Sequence, residues 1–167
     1  MRDRNTFKRV YLQYYPVLLV YGKTIVANEA MVEDAIQELF VSLWEKRVDF
    51  DAIQSLENYL LISLRNNLIR SQKKLRTVEI TMDISEPQIS DLTKLDREAR
   101  LTKLIEQLPT RQREVIFLRY YKNKSYQEIA GMLDIQYQVA RNFSYRAIQF
   151  LRKSMKKLSS MVVSLLW

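Results

Sequence analysis

The chain has 167 residues, 47% of them hydrophobic, with two Gly, three Pro, no Cys and no His. That composition can bury a core and favours helix, while the missing Cys and His exclude disulfide scaffolds, Cys/His zinc sites, thiol nucleophiles and His-based triads. The formal net charge of +8 is uneven: residues 1–57 carry −2, residues 58–76 +5, residues 77–108 −3 and residues 109–157 +8. Two basic blocks separated by an acidic one fit two contacts with a polyanion. There is no Gly-rich phosphate loop, so an enzyme would have to work with carboxylates, Ser or Lys alone, and catalysis starts as the less favoured reading, with no cofactor or metal expected. The opening "MRDRNTFKRVYLQYYP" has no uninterrupted apolar core and the closing "MVVSLLW" is too short to span a bilayer, so a soluble cytoplasmic protein is expected.

Apolar residues at helical spacing (Phe7, Val10, Tyr11, Tyr14, Val17, Leu18, Tyr21) predict a helix over Thr6 to Val26. Pro16 is expected to bend it or to open a second helix. Asn28 is a natural N-cap, with Glu29, Glu33 and Asp34 near the positive end of the helix dipole. From there Met31, Ala35, Leu39, Leu43 and Ile36, Phe40, Trp44 form an apolar band, and Phe40 and Trp44 are read as core. The opposite side carries Glu33, Asp34, Gln37, Glu38 and Glu45. "KRVDFDAIQ" (Lys46 to Gln54) breaks the pattern as a loop. Ser55 caps a further helix that begins apolar and ends in the cationic "RNNLIRSQKKLR".

Thr77 to Asp96 holds five acidic residues, one Lys and Pro87, which predicts an extended, flexible acidic linker. Arg97 to Gln107 is helical, with Leu101, Leu104, Ile105 and Leu108 as its apolar stripe. Pro109 suits position N1 of the next helix, Thr110 to Tyr121, which is expected to bury Val115, Ile116, Leu118 and Tyr120. Ser125 and Glu128 make a capping box ahead of Ile129, Ala130 and Leu133.

The stretch Tyr126–Leu133, a turn at Asp134–Ile135, then a helix from Gln136 has helix-turn-helix spacing. Ala130 permits a close crossing, Asp134 tolerates the left-handed backbone of the turn, and Ile135 plugs the space between the helices. The buried side of the second helix is read as Tyr137, Ala140, Phe143, Ala147, Ile148 and Leu151, leaving Gln138, Arg141, Asn142, Tyr145, Arg146 and Gln149 outward. An ordinary wet helix face would use Lys and Glu, yet neither occurs between Gln136 and Leu151. Gln, Asn, Arg and Tyr are side chains that pair with base edges, touch phosphates or stack, so this helix is expected to read DNA.

"LPTRQREVIFLRYYKNKSYQEIAGMLDIQYQVARNFSYRAIQFLRK" resembles region 4 of the bacterial extracytoplasmic-function sigma factors, and its "YQEIA…L.I.YQ.ARN…YRAI..LRK" form is like that of the Bacteroidetes branch. "YYPVLLVYGKTIVANEAMVEDAIQELFVSLWEKR", with "SLENYLLISLRNNLIRSQKK" after it, is similar to their region 2. The pattern differs at Asp134, usually Gly, at Gln136, usually Ser or Thr, and at Ser144, usually apolar. The resemblance implies an all-α chain of two small helical domains: region 2 over residues 1–76, linker 77–96, helix-turn-helix region 4 over 97–160, and an apolar tail 161–167.

It further implies an alternative sigma factor that joins RNA polymerase core as a monomer and recognises the −10 and −35 elements of promoter DNA. Glu33, Asp34, Gln37 and Glu38 match the polymerase-docking helix, where carboxylates on one face suit basic partners. The loop matches the element that captures a flipped −10 base, with Asp49, Phe50, Asp51, Gln54 and Ser55 as candidates. The helix after it would lay Asn58, Ser63, Arg65, Asn66, Arg70 and Lys73 along the −10 DNA, with Lys73, Lys74 and Arg76 on phosphates. Gln138, Arg141, Asn142, Tyr145 and Arg146 would read the −35 element. A membrane-anchored anti-sigma factor is the further partner implied. Two other readings remain: a stand-alone helix-turn-helix repressor or activator, and a helical adaptor that binds protein only.

Overall fold

A computed structural model describes residues 4–78 and 97–164, with side chains over 4–73 and 100–156. Residues 79–96 of the expected linker and the packing of the apolar tail lie outside those described residues, while Thr77 and Val78 still belong to the helix before it. The chain divides into two compact units, Met1–Met82 and Asp83–Trp167. Every described element is helical.

In the first unit, α1 (Arg4–Ile25), α2 (Glu29–Glu45) and α3 (Leu56–Val78) each pack on the other two. Their inward stripes follow the helical period: Leu18, Tyr21 and Ile25 on α1, Val32, Ile36, Leu39 and Leu43 on α2, and Leu60, Leu61, Leu64 and Leu68 on α3 are buried. α1 runs through Pro16 as one helix, so no second helix opens there. Proline deletes a single i→i−4 bond, and the carbonyl it leaves without that donor belongs to Leu12, a residue 60% exposed where water can replace it. Asn28 caps α2, its Oδ1 accepting from Met31 N–H at 3.2 Å. Phe40 is core as expected, but Trp44, in the last turn of α2, is 42% exposed. The closest approach in the unit is between α1 and α2: a Cβ built on Gly22 would overlap Val32 Cγ1.

The second unit comprises α4 (Arg97–Glu106), α5 (Thr110–Ile116), α6 (Tyr126–Leu133) and α7 (Tyr137–Ser164). Leu104, Leu108, Ile116, Ala147 and Leu151 form a core cluster that Ile105, Ile148 and Met155 extend. Pro109 is the N-cap of α5, not its first helical residue: its ψ of 144° is extended, and its carbonyl accepts from Gln112 and Arg113. Arg113 then fastens the α4–α5 corner, donating through Nη1 to the carbonyls of Glu106 (2.8 Å) and Leu108 (3.1 Å) and through Nη2 to Thr110 Oγ1 (3.3 Å). α5 continues as a π-helical turn over Phe117–Tyr121, closed by Lys122 N–H on the Phe117 carbonyl at 3.1 Å. The extra residue in that turn changes the phase, so Phe117 and Leu118 are buried and Tyr120, expected inside, is 55% exposed.

Gly131, mid-helix in α6, is exposed, and an added Cβ there would meet nothing within 4 Å. Gly131→Ala is therefore expected to stabilise the second unit by about 0.5–1 kcal/mol, the helix-propensity difference. A urea titration checks this, and an unchanged or lowered midpoint would refute it.

Candidate nucleic-acid interface

Three local devices set the angle of α7. Ser125 Oγ accepts from Glu128 N–H at 3.2 Å, while Glu128 Oε2 accepts from Ser125 N–H at 2.8 Å and from its hydroxyl at 2.8 Å. Those bonds favour the ionised carboxylate and hold Glu128 below its ordinary pKa. Asp134 ends α6 with φ 52° and ψ 57°, and Ile135 N–H reaches back to the Ala130 carbonyl at 3.0 Å. That left-handed cap with a six-residue return bond turns the chain sharply. The third device spans the two helices: Tyr126 OH donates to Ser144 Oγ at 3.0 Å.

This last bond revises the expected buried side. Ser144 is buried at 2% exposure, between Ala140 and Ala147, whereas Tyr137 is 45% exposed. A serine is tolerated inside because its hydroxyl has a partner. Tyr137 instead lies edge-on to Tyr126, with ring centroids 6.3 Å apart, and the Arg141 guanidinium sits 5.9 Å from its ring centre. Arg119 covers the other partner, 4.9 Å from the Tyr126 ring centre. Ile135 and Phe143 are half-buried.

The five residues expected to read DNA, Gln138, Arg141, Asn142, Tyr145 and Arg146, are all exposed on one side of α7. Gln138 Nε2 lies 3.5 Å from Asn142 Oδ1, a long bond that a base edge can replace. Tyr145 is 66% exposed, a large ring surface turned to solvent.

In the first unit, Asp34, Gln37 and Glu38 are exposed together on α2, whereas Glu33 is half-buried and accepts from Tyr15 OH at 3.2 Å. Burial, and then the hydrogen bond and charge of Glu33, raise the Tyr15 pKa. The loop begins at Lys46, turns through a left-handed Arg47 (φ 52°), and folds back with Asp51 N–H on Asp49 Oδ1 at 3.1 Å. Asp49, Gln54 and Ser55 are exposed. Phe50 is half-buried against Phe7, their centroids 6.0 Å apart, and Phe7 also meets Trp44 at 5.0 Å. Phe7 and Trp44, which the periodicity consigns to the core, thus seat the loop. The signal that would have found them is the aromatic at each end of the loop's supporting helices.

On α3, Asn66, Arg70 and Lys73 share an exposed stripe, and Arg70 is steadied by Asn67 Oδ1 at 2.6 Å and the Asn66 carbonyl at 3.3 Å. Asn58 and Ser63 are half-buried. Arg65 differs from the other expected residues: it is 6% exposed, one position off the Asn66–Arg70 stripe and on the same side as buried Leu61, Leu64 and Leu68, which leaves it little free surface. The side chains of Lys74 and Arg76 lie outside those described.

Comparison with known proteins gives concordant matches. The family described as sigma-70 region 2 matches residues 10–77, and sigma-70, region 4 matches residues 98–151. The chain is similar to the ECF RNA polymerase sigma factor SigX of Bacillus subtilis (strain 168), 25% identical over 166 residues, 92% of this chain and 86% of that protein. It is likewise similar to the ECF RNA polymerase sigma factor RpoE of Cereibacter sphaeroides, 25% identical over 137 residues, 78% of this chain and 75% of that one. Among solved structures, it shares the fold of the sigma factor RpoE in complex with the anti-sigma factor NepR from Bartonella quintana (TM-score 0.68, 23% identity, 90% of this chain and 97% of that). CnrH in complex with the cytosolic domain of CnrY is similar at TM-score 0.61 and 19% identity, over 93% of this chain and 90% of that.

A helix-turn-helix unit and a three-helix unit with acidic and cationic helices, matched in that order by regions 4 and 2, define a promoter-recognition factor, and the chain belongs to the sigma-70 family. Within the family it is an extracytoplasmic-function sigma factor, an alternative subunit that directs promoter recognition and transcription initiation. Among the described residues, no helix is long and apolar enough to cross a membrane.

Proposed function

We propose a division of labour between the two units. The first docks on the core enzyme through Asp34, Gln37 and Glu38, with Glu33 at the edge, and engages the −10 element. There Asp49, Gln54 and Ser55 offer polar edges to a flipped base, Phe50 a ring seated on Phe7, and Asn66, Arg70 and Lys73 flank the upstream duplex. The second reads the −35 element with Gln138, Arg141, Asn142, Tyr145 and Arg146. The observation that carries this reading is the side-by-side exposure of those five on α7, directly after a capped turn. Polymerase performs the chemistry, and this chain contributes specificity and strand opening. An anti-sigma factor is the regulatory partner proposed, by analogy with the complexes of the two similar structures, and anchoring of that partner in a membrane belongs to the same proposal.

Run-off transcription on genomic fragments, with and without core polymerase, is the test. Initiation that needs both this chain and core, at defined promoters, is expected. Sequence-specific binding of the chain alone without any core-dependent initiation would favour a stand-alone regulator, and neither activity would favour a protein-only adaptor.

Glu38 provides a sharper check of the docking face. Glu38→Lys reverses an exposed charge facing a basic partner, so core affinity is expected to fall about tenfold or more, as reversing one charge of a desolvated pair does. Thermal unfolding of the free chain should be unaltered, because Glu38 is exposed. Wild-type affinity for core in the variant would remove Glu38 from the interface.

A further inference from the structure

The exposed stripe on α7 continues past the helix-turn-helix. Steps of three and four residues from Gln138 lead through Arg141, Tyr145 and Gln149 to Arg152 and Lys156, with Lys153 beside them, and every one is exposed. The stripe of Ala140, Ser144, Ala147 and Leu151 on the other side is buried. Arg152, Lys153 and Lys156 stand just past residue 151, where the region 4 match ends, on the same helix, which runs on to Ser164.

Charge says what this stretch faces. No Asp or Glu occurs anywhere after Asp134. A helix side built only for water intersperses Glu with Lys at i,i+4 spacing, which relieves repulsion between the cations. Here the cations repel one another unless a polyanion covers them. At 1.5 Å per residue, Lys156 lies about 22 Å along the axis from Arg141, nearly twice the roughly 12 Å width of the DNA major groove. A helix whose Arg141–Arg146 turn occupies the groove therefore carries its next turns over the bordering sugar–phosphate backbone.

We propose that Arg152, Lys153 and Lys156 form a phosphate clamp that grips the duplex backbone beside the −35 element and adds affinity without sequence preference. The proposal rests on the reading of α7 as the −35 helix. An anionic membrane surface is the other polyanion that a basic helix can meet. DNA is favoured because the three cations share the exposed side of Gln138, Arg141 and Tyr145.

The experiment uses holoenzyme assembled from the full chain and core polymerase, with its preferred promoter duplex and a duplex of scrambled −35 sequence. The triple variant R152Q/K153Q/K156Q keeps good helix formers at exposed positions, and circular dichroism verifies its folding. The slope of log K against log salt is expected to become shallower by about 2 to 3, near 0.9 for each phosphate no longer neutralised, with the promoter-to-scrambled ratio unchanged. Hydroxyl-radical protection should shrink by one backbone segment at the border of the −35 element. An unaltered slope overturns the clamp, and if the triple variant at the same time loses binding to phosphatidylglycerol vesicles, the cations belong to a membrane contact. R141A, run in parallel, separates the two readings: it should lose the promoter-to-scrambled ratio while keeping most of the slope. An intact ratio in R141A removes Arg141 from base reading, and the triple variant's own slope still decides the clamp.

Discussion

Gly22→Ala is expected to destabilise the first unit by about 1–3 kcal/mol, although the same change raises helix propensity by about 1 kcal/mol. The reason is the crossing of α1 over α2. The added methyl would overlap Val32 Cγ1, and Val32 Cβ and Cγ2 would each stand 3.3 Å away, so no rotation of the valine clears the space. Val32 is β-branched, confined to essentially one rotamer in a helix, and wholly buried, so it has nowhere to move. The helices must separate instead, and that loosens Leu18, Tyr21 and Ile36 around the contact. The exposed acidic stretch Asp34–Glu38 starts within one turn of Val32, so core binding should weaken along with the fold.

A double-mutant cycle isolates the clash. Val32→Ala alone deletes two buried methyl groups and is expected to cost about 2 kcal/mol. Combined with Gly22→Ala it supplies the missing room, so the pair should be less destabilised than the two singles added, by about 1 kcal/mol or more. Urea unfolding of the four proteins measures this. Strict additivity, or a Gly22→Ala protein as stable as the parent, would show that the helices do not approach as closely as the structure has them.

How much of this architecture is legible in the sequence depends on whether the cause is local. Caps are local: Asn28, the Ser125–Glu128 box and the left-handed Asp134 follow from a few adjacent residues, and the structure has each of them. Phase within a helix is not local. Tyr120 turns outward because one π-helical turn inserts a residue into the count. Tyr137, read as buried, lies half outside, and Ser144 joins the buried side because its hydroxyl has a partner eighteen residues away at Tyr126. Arg65 reads as a DNA ligand within a cationic run, yet it stands one position off the exposed stripe of α3. Pro16 reads as a bend or as the start of a second helix, and that no second helix starts there follows from an affected turn that faces water. The site residues on α7 are the more readable ones, since a side without Lys or Glu is anomalous in composition alone.

That anomaly leads to the largest effect expected on function. Arg141→Ala and Asn142→Ala should each reduce discrimination at one base pair of the −35 element by about 1–3 kcal/mol, roughly 5- to 150-fold in the ratio of cognate to mismatched promoter. Arg pairs best with guanine and Asn with adenine, so each variant should relax preference at its own position and leave the others intact. Arg141 carries a further expectation. Its guanidinium lies over the half-exposed Tyr137 ring, a weak interaction that holds the side chain along the outer face before DNA arrives. Tyr137→Leu should then weaken −35 binding modestly, with the identity of the preferred base unchanged. Lys73→Ala on α3 serves as the contrast: without its ammonium on a phosphate, every promoter should bind less tightly by the same factor, and the salt slope should fall by about 0.9. Transcription from a promoter series with single −35 substitutions distinguishes the two behaviours. Equal weakening across the whole series in Arg141→Ala and Asn142→Ala would reduce them to backbone contacts, and the reading of bases would then pass to Gln138, Tyr145 and Arg146, the other exposed residues of the same stripe.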